Sequence, residues 1–271
     1  MYQTIGFIGC GNMGTALAVC AKKSLANSEA KLLFANRHIE KAEALAARLG
    51  GVAMTNEALA ARCDLLFLGV KPQFLKEMLD GIAPVLAKRT DRFVLCSMVT
   101  GVTTERLQTL AGGEYPVIRI MPNTASAVGA GVIQICTSGT TETELADFKT
   151  LMAPAGLLDE LPERLIDAAS AVSGCGPAFL CLAMEGMADG GVALGLPRDK
   201  ALRYAAQTLL GTGKLAIETG LHPGVLKDQV TSPGGTTIQG VRALENNCVR
   251  AAFMEAVIAA YEKTEALKKN T

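Results

Sequence analysis

Residues 4–14 read Thr4-Ile5-Gly6-Phe7-Ile8-Gly9-Cys10-Gly11-Asn12-Met13-Gly14, and this stretch decides the fold. A strand-like run leads into G-x-G-x-x-G, and a helical run from Met13 to Lys23 follows. The glycine pattern alone is weak, but between a strand and a helix it has a physical meaning. Gly9 permits the tight turn, Gly11 lets the backbone approach a pyrophosphate, and Gly14 lets the helix pack on the strand. The helix start then offers N–H groups and a partial positive charge to phosphates. Ile8, Gly9, Cys10, Gly11, Asn12, Met13 and Gly14 are therefore cofactor-binding candidates. A merely structural turn is the competing reading.

Outward from that motif, short apolar runs alternate with helical ones. Lys31–Phe34, Leu65–Leu68 and Phe93–Cys96 read as buried parallel strands, with Pro116–Ile120 and Gly131–Ile135 as later ones. Glu40–Leu49 is one of the helices between them. This spacing argues an α/β fold, a Rossmann-type doubly wound sheet. The character changes near residue 160. Beyond Pro162 the apolar residues recur at helical spacing, over Leu165–Val172, Pro177–Leu194, Asp199–Glu218 and Val249–Leu267. Pro177 and Pro197 sit where helices start, Gly195 and Gly220 where they stop. The expected domains are thus 1–160, binding a dinucleotide, and 161–271, all-helical. The second has more apolar faces than a small bundle can hide, which points to a partner subunit.

Composition excludes several functions. Lys+Arg and Asp+Glu both count 26 in 271 residues, so no basic surface for nucleic acid or membrane is expected. Aromatics are 4% and Trp is absent, leaving few platforms for stacking bases. The uncharged stretches Ile120–Thr141 and Ala168–Met184 are too polar or too short and broken for the ~20 apolar residues of a span. No basic patch with an apolar h-region opens the chain, so the expectation is a soluble, cytoplasmic protein. Eight cysteines without a C-x-x-C pair read as buried reduced thiols. With only two histidines, neither a zinc spacing nor a His-based triad can be drawn, and no metal is expected.

Where an NAD-preferring fold places an acid, about twenty residues past the glycines, this chain has Asn36-Arg37. A carboxylate there would repel a 2′-phosphate; Asn with Arg would donate to it and neutralise it, so NADP(H) is preferred and NAD(H) is the second choice. The other reading makes Arg37 a solvated surface residue. Gly69-Val70-Lys71-Pro72-Gln73 and Met121-Pro122-Asn123-Thr124 follow strands and so border the same crevice. In the helical half, Ser173–Phe179 reads as a flexible loop before a long helix. Asp228-Gln229-Val230-Thr231-Ser232-Pro233-Gly234-Gly235-Thr236-Thr237 joins two helices with hydroxyls and glycines. Unpaired N–H groups at the next helix start can cradle a carboxylate without an arginine. A plain capping loop is the alternative.

Taken together, these motifs resemble the Δ1-pyrroline-5-carboxylate reductases nearly end to end. The likeness runs from Gly6–Met13 through Asn36-Arg37, Val70–Gln73, Met121–Thr124, Ser173–Phe179 and Ala188–Val192 to Asp228–Thr237, the most specific segment. It departs at Ala125, where Pro is expected, and at Thr236, where some members carry Ala. The resemblance implies reduction of 1-pyrroline-5-carboxylate to L-proline by hydride from NADPH or NADH, the last step of proline biosynthesis. A C=N bond is reduced as its iminium, so neither a metal nor a strong protein acid is required. By carry-over, Ser232, Gly234, Gly235, Thr236 and Thr237 hold the substrate, with Thr237 catalytic beside the imine nitrogen. Asn56, Val70, Lys71, Pro72, Asn123 and Gln229 join the cofactor set with Asn36 and Arg37. It also implies a homodimer or a ring of dimers, whose sites each join one subunit's glycine-motif domain to the other's helical domain.

Two rivals stand against this. A β-hydroxyacid dehydrogenase shares the glycine opening but needs a catalytic Lys early in its second domain, and residues 168–198 contain none. A non-catalytic NADP(H) sensor would leave the Asp228–Thr237 cradle without a use.

Overall fold

The structure, a computed structural model, describes residues 1–268. Its first part alternates strand and helix: β1 (Thr4–Ile8), α1 (Asn12–Ser24), β2 (Lys31–Ala35), α2 (Ile39–Leu49), β3 (Val52–Ala53), α3 (Asn56–Ala60), β4 (Leu65–Leu68), α4 (Pro72–Leu86), β5 (Val94–Ser97) and α5 (Thr104–Ala111). Then follow β6 (Val117–Pro122), β7 (Gly131–Ser138), α6 (Glu142–Met152), β8 (Gly156–Glu160) and α7 (Glu163–Ser173). The strands form one sheet in the order β3-β2-β1-β4-β5-β6-β7-β8. All neighbours are parallel except β6 and β7. The chain winds outward from β1 to β3, then returns to β4 on the other side of β1, which opens a crevice at the carboxyl ends of the central strands.

Helices cover both faces, which is why the strands read as continuous apolar runs. Phe7, Phe34 and Phe67 are register partners on one face, with ring centroids 4.4 Å apart for Phe7–Phe67 and 5.8 Å for Phe7–Phe34. On the other face Ile8, Leu33, Leu66 and Leu68 pack with Leu59, Leu75 and Leu79. Gly6 lies there too: a Cβ would come 2.3 Å from Leu59 Cδ2 and 2.4 Å from Cys63 Sγ.

Among the described residues two compact units emerge, 1–175 with 260–268, and Gly176–Ala259. The sheet does end with β8 at Glu160, where the sequence changes character, but α7 packs on β6 and β7 and so belongs with the sheet rather than with the helices expected from residue 161. A buried ion cluster fixes it there. Arg119 on β6, 1% exposed, donates to Asp167 Oδ1 at 2.7 Å and to Glu163 Oε1 at 3.1 Å, both on α7. Glu163 also accepts from the Thr104 N–H and hydroxyl, and Lys268 reaches Asp167 Oδ2 at 2.8 Å.

The second unit holds α8 (Gly176–Ala193), α9 (Arg198–Thr219), α10 (Pro223–Gln229), α11 (Thr236–Asn246) and most of α12 (Val249–Lys268). Ala188, Ala201 and Ala205 make its small buried core, while α11 and α12 bury no residue. Leu182, Leu194 and Ile217 are 73%, 89% and 85% exposed. The expected burial of the thiols therefore fails in part: Cys10, Cys20, Cys63, Cys96 and Cys136 are buried, but Cys175 is half-buried, Cys181 is exposed on α8 and Cys248 is exposed in the turn before α12.

The region expected to be a flexible loop before α8 is only the turn Gly174-Cys175, and Ser173 is anchored by Gln134 Nε2 at 2.6 Å. As a result Glu163–Ala193 is one helical stretch long and apolar enough to cross a membrane by length and composition, contrary to the expectation that no segment qualifies.

Candidate active site

In the sheet unit the glycine turn sits at the carboxyl end of β1, and each glycine has a visible reason. Gly9 has φ +105°, and a Cβ there would lie 2.5 Å from the Gly69 carbonyl oxygen. A Cβ on Gly14 would lie 2.1 Å from the Gly9 oxygen, so α1 could not seat on the turn. Gly11 is different: a Cβ would meet no atom within 4 Å. Its surface is open, and Gly11 caps α1 without a side chain while the first turn holds no acid. Orphan N–H groups and a positive dipole end thus face an unobstructed approach, which fits a pyrophosphate.

The neighbouring residues divide their roles in a way sequence spacing cannot show. Asn36 does not point its amide outward as a phosphate donor: Oδ1 accepts from the Cys10 N–H at 3.0 Å and Nδ2 donates to the His38 carbonyl at 2.9 Å. It clamps the glycine turn to the end of β2. Cys10 contributes neither its N–H, already taken, nor its thiol, which is buried against the Ala35 carbonyl and pushed up to about 11 by desolvation. The Ile8 side chain is core, and its carbonyl accepts from the Gly69 N–H at 2.7 Å. Arg37 is exposed beside the turn, its guanidinium 5.2 Å from the Phe74 ring centroid.

Lys71 is exposed as the N-cap of α4, with Pro72 at the first helical position and half-buried Val70 packed on the core behind them. Asn56 opens α3, whose N-cap Thr55 accepts from Ala58 N–H at 3.2 Å. Asn12 is exposed and Met13 half-buried at the start of α1.

Asn123, by contrast, is no crevice group. It is 8% exposed; Nδ2 donates to the Ser173 carbonyl at 3.0 Å and Oδ1 accepts from Val132 N–H at 3.2 Å, so it ties β6 and β7 to α7.

In the helical unit the cradle is equally explicit. Thr231 Oγ1 donates back to the carbonyls of Lys227 and Asp228, at 3.1 and 3.2 Å, closing α10. Ser232-Pro233-Gly234-Gly235 then forms a turn: Gly235 N–H donates to Ser232 O at 3.0 Å, and Gly234 takes φ +69°, the left-handed conformation such a Pro-Gly turn needs. Gly235 caps α11 without a side chain, and no acid occupies the first turn. The N–H groups of Thr236, Thr237 and Ile238 have no intrahelical acceptor. Thr236 and Thr237 are exposed, and neither hydroxyl has a hydrogen-bond partner among the described residues. A methyl on Gly235 would come 2.3 Å from Ser232 Oγ and crowd the turn. Gln229, at the end of α10, is exposed.

Sequence reasoning missed Phe74 and the Arg119 cluster. An arginine inside the apolar strand Val117–Pro122, with Glu163 and Asp167 four apart on one helix, was the available signal for the second. Phe74 had none, because its partner lies on another strand end.

Known proteins resemble this chain along nearly its whole length. Residues 163–267 match the family model described as pyrroline-5-carboxylate reductase dimerisation, and residues 4–96 match that described as NADP oxidoreductase coenzyme F420-dependent. A pyrroline-5-carboxylate reductase of Glycine max is 39% identical over 97% of this chain and 96% of its own. That of Escherichia coli strain K12 is 36% identical over the whole of both. Among solved structures, the Plasmodium falciparum pyrroline carboxylate reductase with NADP bound superposes with a TM-score of 0.86 at 31% identity, covering 98% of each chain. With its glycine turn, its substituent-free α11 start and this full-length kinship, the chain belongs to the pyrroline-5-carboxylate reductase family.

Proposed function

We propose that this chain reduces 1-pyrroline-5-carboxylate to L-proline, the closing step of proline biosynthesis, with NADPH preferred over NADH. The observation that carries the reading is the start of α11: three unpaired N–H groups behind a Pro-Gly-Gly turn, flanked by two unengaged threonine hydroxyls. That arrangement suits a small planar anion with a ring nitrogen. Bound NADPH supplies the hydride. The chain supplies orientation, and holding a small substrate in a reactive geometry is worth several kcal/mol of barrier. The backbone N–H groups of Thr236 and Thr237, with Ser232, Gly234 and Gly235 shaping the turn, bind the carboxylate. The Thr237 hydroxyl donates to the neutral imine nitrogen, orients it and passes it a proton that water replaces, which leaves the ring as the iminium.

On the cofactor side Gly11, Asn12, Met13 and Gly14 hold the pyrophosphate, Arg37 meets the 2′-phosphate, and Asn56, Val70, Lys71, Pro72 and Gln229 complete the contacts. Asn36 acts by holding the turn.

The uncovered helices favour a homodimer, since Leu182, Leu194 and Ile217 gain most by covering. The same faces account for the apolarity of Glu163–Ala193 without a membrane. Free cysteines, five of them buried, suit a reducing cytoplasm. The test is NADPH oxidation with pyrroline-5-carboxylate, run beside 3-hydroxyacids with NAD⁺. Turnover of the hydroxyacids alone would reject the assignment.

A further inference from the structure

We propose that Phe74 is a specificity-determining positioning residue, which holds Arg37 in place for the 2′-phosphate of NADPH. Arg37 follows β2 and Phe74 lies in the first turn of α4, after β4; β2 and β4 flank β1 in the sheet. The guanidinium and the ring, 5.2 Å apart, therefore meet at the carboxyl end of β1, beside the open face of Gly11. Phe74 is 38% exposed, so one face of its ring is open to the guanidinium. Arg37 has no carboxylate partner among the described residues, and the Phe74 ring is the side-chain contact its guanidinium makes.

A guanidinium is planar, so stacking one face on a ring leaves its edge N–H donors free for a phosphate. The ring also restricts the side chain before the ligand arrives, so less freedom is lost on binding. A cofactor without the 2′-phosphate gains nothing from this. The device thus acts on the preference between cofactors, through Arg37.

This inference rests on Arg37 reading the 2′-phosphate, and the experiment separates the two ideas. Calorimetry on the full chain gives Kd for NADP⁺ and NAD⁺, and their ratio is compared among variants. Phe74→Leu and Phe74→Gln remove the ring and should lower the preference for NADP⁺ by about two- to fivefold, the worth of an exposed cation–π contact. Phe74→Tyr keeps the ring and should keep the wild-type ratio. Arg37→Ala should lower the ratio further than either ring-less variant. If Arg37→Ala lowers the ratio while the ring-less variants match wild type, Arg37 finds the phosphate unaided and the role of Phe74 is overturned. If Arg37→Ala leaves the ratio unchanged, the phosphate assignment itself falls, and Phe74 with it.

Discussion

Replacing Asn36 with alanine distinguishes a residue that touches phosphate from one that shapes the loop around it. In the structure the amide is already spent, accepting from the Cys10 N–H and donating to the His38 carbonyl. Alanine strands the Cys10 N–H in a residue only 8% exposed, where water cannot fully replace the lost acceptor. A stranded donor of this kind costs ~1–2 kcal/mol, or about 5- to 30-fold in affinity if the turn must be re-formed to bind. Because the proposed role of the turn is to hold the pyrophosphate common to both cofactors, Kd should rise for NADPH and NADH together. Asn36→Asp is the counterpart: it keeps an oxygen for Cys10 but sets a negative charge where the 2′-phosphate arrives, so NADPH should suffer more than NADH. Arg37→Ala should cost ~1.5–3 kcal/mol on NADPH and far less on NADH. Fluorescence titration of each variant with each cofactor measures all of this. A selective loss of NADPH binding in Asn36→Ala would refute the clamp and return Asn36 to the phosphate.

Three further outcomes are expected. Thr237→Val should fold and bind NADPH normally yet lose ~10²–10⁴-fold in kcat if its hydroxyl hands over the proton, or ~10-fold if it only orients the imine; Thr237→Ser should recover part, and wild-type turnover in the valine variant would leave the hydroxyl no role in the reaction. Light scattering at assay concentration should show at least a dimer, and an active monomer would contradict the reading of the bare helices. Asp167→Ala leaves Arg119 with only half-exposed Glu163 and Lys268 with Glu265; breaking one arm of a buried ion cluster should cost ~3 kcal/mol, seen as a fall in melting temperature with little change in KM, whereas an unchanged melting temperature would mean the cluster is freely rebuilt.

How far the sequence could be read follows from what each signal encodes. The glycine turn was legible because its spacing states a local geometry, and the structure gives Gly9, Gly11 and Gly14 three different surroundings to match. The central strands were legible as unbroken apolar runs. The edge strands were not: β3 is two residues long, and β8 carries Asp159 and Glu160, so neither shows a buried period. Helical spacing in α7 announces a helix but not which body it packs against, and only Arg119 on β6 decides that. Asn36 and Asn123 were correctly placed at strand ends, yet an amide can face a ligand or its own backbone, and residue type does not choose between them. The start of α11 was readable in outline because Pro-Gly-Gly followed by two threonines leaves little else for the backbone to do.

Lys268 has a consequence for how the protein is made. The ribosome delivers the sheet's strands first, then every helix of the second unit, and only then the segment 260–268 that returns to the sheet. Until it arrives, one guanidinium at Arg119 faces two carboxylates, Glu163 and Asp167, and the cluster carries a surplus negative charge. The last turn of α12 brings the ammonium that balances it. A chain halted before that point would hold the sheet with Arg119 as the one cation shared between Glu163 and Asp167. Completion of the sheet unit is thereby deferred until the intervening residues 176–259 have been synthesised.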